Sequence, residues 1–169
     1  MIRIGLILCL AGMLAACSPD YNWRQVAVGD GAVQAIFPDK PQNYERSLNF
    51  SGHDVSFGLT SVNVQGASFT VAYASLPETL RADAGASRQL ADAVLRSLYH
   101  NLGAQEPAQL PELGKPFVID GAGPKKPLRL RATVWLTNRA LVEGLVMAEQ
   151  ESFPAEQADE FFRGIELAR

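Results

Sequence analysis

Two histidines, His53 and His100, are all that the 169 residues offer for general-base chemistry near neutral pH. Gly52-His53-Asp54 is followed by Ser56, so a Ser, a His and an Asp stand close in sequence. A nucleophilic triad is defined by geometry, however, and no G-x-S-x-G elbow accompanies the group. It reads as a surface turn. His100 falls near the end of a helical stretch, where its charge would meet the helix dipole. The chain has no H-E-x-x-H, no spaced Cys pair and no acidic calcium loop. Gly121-Ala122-Gly123-Pro124-Lys125 lacks the full phosphate-loop spacing and the Ser or Thr after the lysine, and Pro124 and Pro127 suit a rigid turn. The expectation is a protein without catalytic residues, cofactor or metal, with a hydrolase using His53 as the remotest alternative.

Arg129, Arg131, Thr133 and Trp135 alternate along an extended segment and so share one face of it. Two guanidiniums beside an aromatic can hold a carboxylate, a phosphate or a sugar, which makes this row a candidate binding face. The simpler reading is a solvated sheet face whose arginines pair with Glu143 or Glu149 on a partner strand.

Composition bounds the partners. Hydrophobic residues make up 47% of the chain, charged residues 20%, and the formal net charge is −3, as in an ordinary globular domain. Nucleic acid is excluded as a partner, because phosphate contacts need clustered Lys and Arg. The adjacent Lys125 and Lys126 sit between prolines and read as a solvated loop.

Both cysteines, Cys9 and Cys17, lie at the start of the chain. Arg3 supplies a positive charge, an apolar run extends from Ile4 to Leu14, and Ala15-Ala16 precede Cys17. That is the pattern of a secretory leader, and the run falls short of the roughly 20 apolar residues that span a bilayer. Cys9 would leave with the leader, so no disulfide, thiol nucleophile or zinc site is expected in the mature domain.

Leu14-Ala15-Ala16-Cys17 resembles a bacterial lipobox. The resemblance implies cleavage before Cys17 and acylation of that residue, giving a leader at 1–16, a lipidated tether at 17–22 and one domain at 23–169. Two or more acyl chains anchor stably, at about 0.8 kcal/mol per buried CH₂. Ser18, not Asp, follows the Cys, which in Gram-negative members of the class implies the outer membrane, facing the periplasm. The lipid bilayer is thus one expected partner.

Trp23 to Val28 and Ala32 to Phe37 read as strands around a Gly29-Asp30-Gly31 loop. Three more strands follow, with Tyr44, Arg46, Leu48 and Phe50 on one face of the first. The next carries Val55, Phe57 and Leu59, then Val62 and Val64, a change of phase that suggests a bulge near Thr60 or Ser61. Residues 67–73 complete a five-strand meander. Ser87 is an expected N-cap for a helix with Leu90, Val94, Leu95, Leu98 and Leu102 in one stripe, and Gly103 is its expected stop. A short strand at 117–119 precedes the clearest alternation, Leu128 to Leu136, whose hairpin partner, Ala140 to Ala148, is apolar on both faces. The cover for its outer side is a last helix, capped by Ser152 and carrying Ala158, Phe161, Phe162 and Ile165. The fold class expected is α+β: an antiparallel sheet, meander plus C-terminal hairpin, with one central and one C-terminal helix packed on it.

Val33-Gln34-Ala35-Ile36-Phe37-Pro38 and Phe161-Phe162-Arg163-Gly164-Ile165 are similar to the early strand and the closing helix of the PsbP-like α/β sandwich, with Gly164 where Ser is more usual. The resemblance implies a non-enzymatic accessory role beside a larger envelope complex. The function expected is therefore a membrane-anchored binding or adaptor module for an envelope protein partner. Its alternative is a small-ligand carrier with a pocket between sheet and helices.

Overall fold

A computed structural model describes residues 21–50 and 52–168. The expected leader, the lipobox with Cys17 and the tether as far as Asp20 lie outside the described residues. Tyr21 and Asn22, expected in the tether, already belong to the fold: the Tyr21 ring stacks on Trp23 at 6.0 Å, and the Asn22 amide donates to the Pro38 carbonyl at 2.7 Å.

The architecture is α+β with two antiparallel sheets. The smaller has the order β1 (Arg24–Val28), β2 (Val33–Phe37), β9 (Glu166–Leu167). The larger, six-stranded sheet runs β3 (Gln42–Phe50), β4 (His53–Val64), β5 (Ala67–Ser75), β8 (Ala140–Glu149), β7 (Leu128–Leu136), β6 (Phe117–Gly121). Among the described residues three α-helices accompany the sheets: α1 (Glu78–Arg81), α2 (Ala84–Asn101) and α3 (Ala155–Arg163). The expected five-strand meander is therefore split. Pro38 and Pro41 interrupt the ladder after β2, since proline has no N–H to donate, and the chain leaves for the second sheet.

Strand alternation explains the layers. On β5, Ala72 and Ala74 face α2, whereas Ala67, Phe69 and Val71 face the small sheet and α3. β8 does the same with Leu141 and Leu145 on one side and Val142, Val146 and Ala148 on the other. A strand apolar on both faces must be covered on both, and here the covers are α2 and, opposite, α3 with the small sheet.

The phase change on β4 has a different cause from the expected bulge. Pairing runs without interruption from Phe50↔His53 to Gln42↔Ser61 and from Gly58↔Tyr73 to Val64↔Ala67. What changes is the buried face: Val55 and Phe57 join the core under α2, and Val62 packs in the core under the small sheet. Helix α2 begins earlier than expected, because Asp83 caps it by accepting from the Ala86 amide at 3.0 Å. Ser87 is instead buried and donates its hydroxyl to the Leu80 carbonyl at 2.6 Å. Gly103, with φ of +64°, follows the helix end as expected.

At the other end of the chain, α3 takes no side-chain cap; Ser152 belongs to a single 3₁₀ turn ahead of it. Gly164 ends α3 where a Cβ would stand 1.9 Å from Ile36 Cγ1, so the close approach of α3 to β2 leaves room only for glycine. The short strand β9, paired to β2 through Val33↔Leu167, was not legible in the sequence.

Candidate ligand-binding cavity

The row of four residues on β7 lies on the face turned toward α3. Register places Asp120 of β6 opposite Arg129, and the guanidinium donates to both carboxylate oxygens, Nε to Oδ1 at 2.7 Å and Nη2 to Oδ2 at 2.8 Å. This pair holds the Asp120 carboxyl below the usual carboxylate range. Arg131 donates to the Asp159 carboxylate on α3 and lies 5.1 Å from the centre of the Phe162 ring, so it ties α3 to the sheet from two sides. Thr133 is buried, and Trp135 is half-buried against the core under the small sheet. The row is one face, as expected, but both its guanidiniums are paired within the molecule, Arg129 with Asp120 and Arg131 with Asp159.

Glu143 and Glu149 are not the arginines' partners. β8 pairs Glu143 with Val134 and Glu149 with Leu128, so both project to the opposite side of the sheet from Arg129 and Arg131. Glu149 accepts from Lys126 at 2.6 Å.

On the α2 side of the sheet, a cavity of about 210 Å³ opens between β3, β4, β5, β7, β8 and α2. Leu48, Phe57, Leu59, Val94, Leu98 and Leu145 give it an apolar wall. Ala72 lies directly across from Glu143 in the ladder and leaves space above the sheet. Glu143 itself lines the cavity and is only 7% exposed. Burial pushes its carboxyl up to about 7, against the opposing pull of the Arg46 guanidinium. Arg46 also lines the cavity, but as an exposed residue on the edge strand, at the mouth.

Hydroxyls near the carboxylate have other partners. Thr70 Oγ1 shares a hydrogen bond with Ser61 Oγ at 2.7 Å, and Ser97 Oγ donates to the Val94 carbonyl at 2.7 Å. Among the described residues no sealed side-chain polar atom lacks a partner, and none of those residues donates to Glu143. Its oxygens therefore look onto the cavity. Chemically this is an apolar slot with one acid inside it and one base at its rim.

Sequence reasoning missed Glu143 as a site residue, although the signal was present. Within Ala140 to Ala148, apolar on both faces, it is the single charged residue. Of the Ser–His–Asp grouping, Asp54 lies on an exposed hairpin and accepts from Asn49 Nδ2 at 2.7 Å, and the His53 side chain lies outside the described residues. His100 occupies the last turn of α2, as expected. Among the described residues no group of three or more His, Cys, Asp or Glu side chains could hold a metal ion, and no helix is long and apolar enough to cross a membrane. No family model, no curated protein and no solved structure matches the chain.

Proposed function

We propose that this protein is a lipid-anchored, non-catalytic binding module of the bacterial envelope, whose site is the cavity between the six-stranded sheet and α2. The observation that carries the reading is the 210 Å³ apolar space with a nearly buried carboxyl open to it. Pockets that bury drug-sized ligands run from roughly 300 to 1,000 Å³. A cavity of this size suits a smaller molecule, or one end of a longer one. The carrier reading gains over the adaptor reading because Arg131, Thr133 and Trp135 are engaged within the fold. An accessory role beside an envelope complex, which the likeness to the PsbP-like sandwich implies, is compatible with a module that presents or senses a small molecule.

Calorimetric titration with indole, a neutral apolar probe, tests the site. The full chain should bind it, and Ser97→Phe, which projects a ring into the cavity from α2, should weaken binding at least tenfold. Ser97 is half-buried and makes only a local hydrogen bond, so the variant should still fold. Equal affinity in the two proteins would place the probe elsewhere and remove the case for the cavity.

Anchoring rests on Cys17 and has its own test. Cys17→Ala should move the protein from the membrane fraction to the soluble fraction of the native host, because the sulfur that would carry the lipid is lost. Full retention in the membrane would count against the lipobox reading.

A further inference from the structure

We propose that the cavity takes an apolar amine, whose ammonium pairs with the Glu143 carboxylate while its hydrocarbon part lies between β4, β5 and α2. The inference rests on the cavity reading above and adds the class of ligand. A carboxylate removed from water is costly unless it is paired or hydrogen-bonded. Glu143 has neither kind of partner among the described residues, and the hydroxyls that could have served it are turned to Ser61 and to the Val94 carbonyl. Arg46 on β3 is the other charged side chain lining the space; β4, β5, β7 and α2 contribute neutral ones. Arg46 is exposed and makes no contact ion pair among the described residues, so it acts on the buried acid only as a longer-range pull from the mouth. An ammonium on an apolar body supplies what Arg46 at the mouth does not, a counter-charge in direct contact with the acid, with N–H donors and a surface to cover the leucines. A fatty acid would meet the reverse arrangement, its carboxylate attracted to the mouth and repelled from the floor.

The proposal also predicts how binding depends on pH. With the Glu143 carboxyl at about 7, the free protein holds the negative charge above that pH and loses it below. An amine that remains protonated throughout then binds tightest above pH 7, and its affinity falls by up to tenfold per pH unit below it.

Three probes of one shape decide the matter: 2-phenylethylamine, 2-phenylethanol and 3-phenylpropanoate. Each is titrated calorimetrically into the full chain held in phospholipid nanodiscs, with empty nanodiscs as the reference, at pH 8 and pH 5.5. The amine should bind at least tenfold more tightly than the alcohol at pH 8 and should lose at least tenfold at pH 5.5. In Glu143→Gln both differences should vanish while alcohol binding is kept, which shows that the cavity is intact. Equal binding of amine and alcohol to the wild-type chain at pH 8 would overturn the amine and leave the cavity reading standing. Tightest binding of the propanoate would overturn it in favour of Arg46 as the recognition group. Failure of all three probes to bind would overturn the cavity reading together with the amine.

Discussion

Replacing Phe161 by Ala will lower the unfolding free energy by about 3–5 kcal/mol, read as a shift of the urea midpoint at unchanged slope. The side chain has no exposed surface and sits where three elements meet. Its ring lies 5.5 Å from Phe37 on β2, 5.6 Å from Phe69 on β5 and 5.5 Å from Phe162 beside it on α3, each at an edge-to-face angle. Truncation removes the transfer energy of a large aromatic and the three ring contacts, and leaves a hole between two sheets that cannot easily close. The loss is a large share of the roughly 5–15 kcal/mol that a domain of this kind has in total. Phe162→Ala should cost less, because that ring is half-buried and its specific partner is Arg131 at the surface. Near-equal losses in the two variants, or a loss below about 1 kcal/mol in the first, would mean that α3 and the small sheet do not fold cooperatively with the six-stranded sheet.

Much of this packing was readable from residue periodicity. The alternation of Leu128 to Leu136 marks β7, and the doubly apolar Ala140 to Ala148 marks β8 as covered on both sides. Local signals were weaker where a residue had two possible uses. Asp83 and Ser87 are both good N-cap residues, and only the packing of α1 against α2, which buries Ser87 and turns its hydroxyl to Leu80, decides between them. The phase change along β4 reads identically for a bulge and for a strand that passes from one core to another; register separates the two, and register is not written in one strand. Likewise Arg129 and Arg131 were legible as sharing a face, but their partners come from β6 and α3, segments whose placement is tertiary. The cavity was hardest to see. It is made by Ala72 being small and by one acid opposite it in an apolar strand, neither of which forms a motif.

That acid supports the second large prediction. Below pH about 4.5 Glu143 is protonated both in the unfolded chain and in the fold; between there and pH about 7 the unfolded chain releases the proton while the fold retains it. The unfolded state then binds fewer protons, so stability falls as pH rises through this window and stays lower above it. The displacement from 4.5 to about 7 corresponds to roughly 3 kcal/mol at pH 8. Glu143→Gln has the same shape and no charge. Its stability relative to wild type should therefore rise by about 2–3 kcal/mol between pH 4.5 and pH 8, from urea unfolding at the two values. Using the difference between the two proteins removes the contribution of Asp120, whose lowered carboxyl acts with the opposite sign and equally in both. A difference that does not change with pH would show that the Glu143 carboxyl is solvated in the fold, and the cavity would then be too wet to need a cationic ligand. The expected result has a functional consequence. A carboxylate that weakens the fold at neutral pH, in a strand where leucine or valine would pack, is what a binding site retains at the expense of stability. A fixed concentration of 2-phenylethylamine should accordingly raise the unfolding midpoint of the wild-type chain at pH 8 by more than that of Glu143→Gln, which keeps only the weaker, alcohol-like binding.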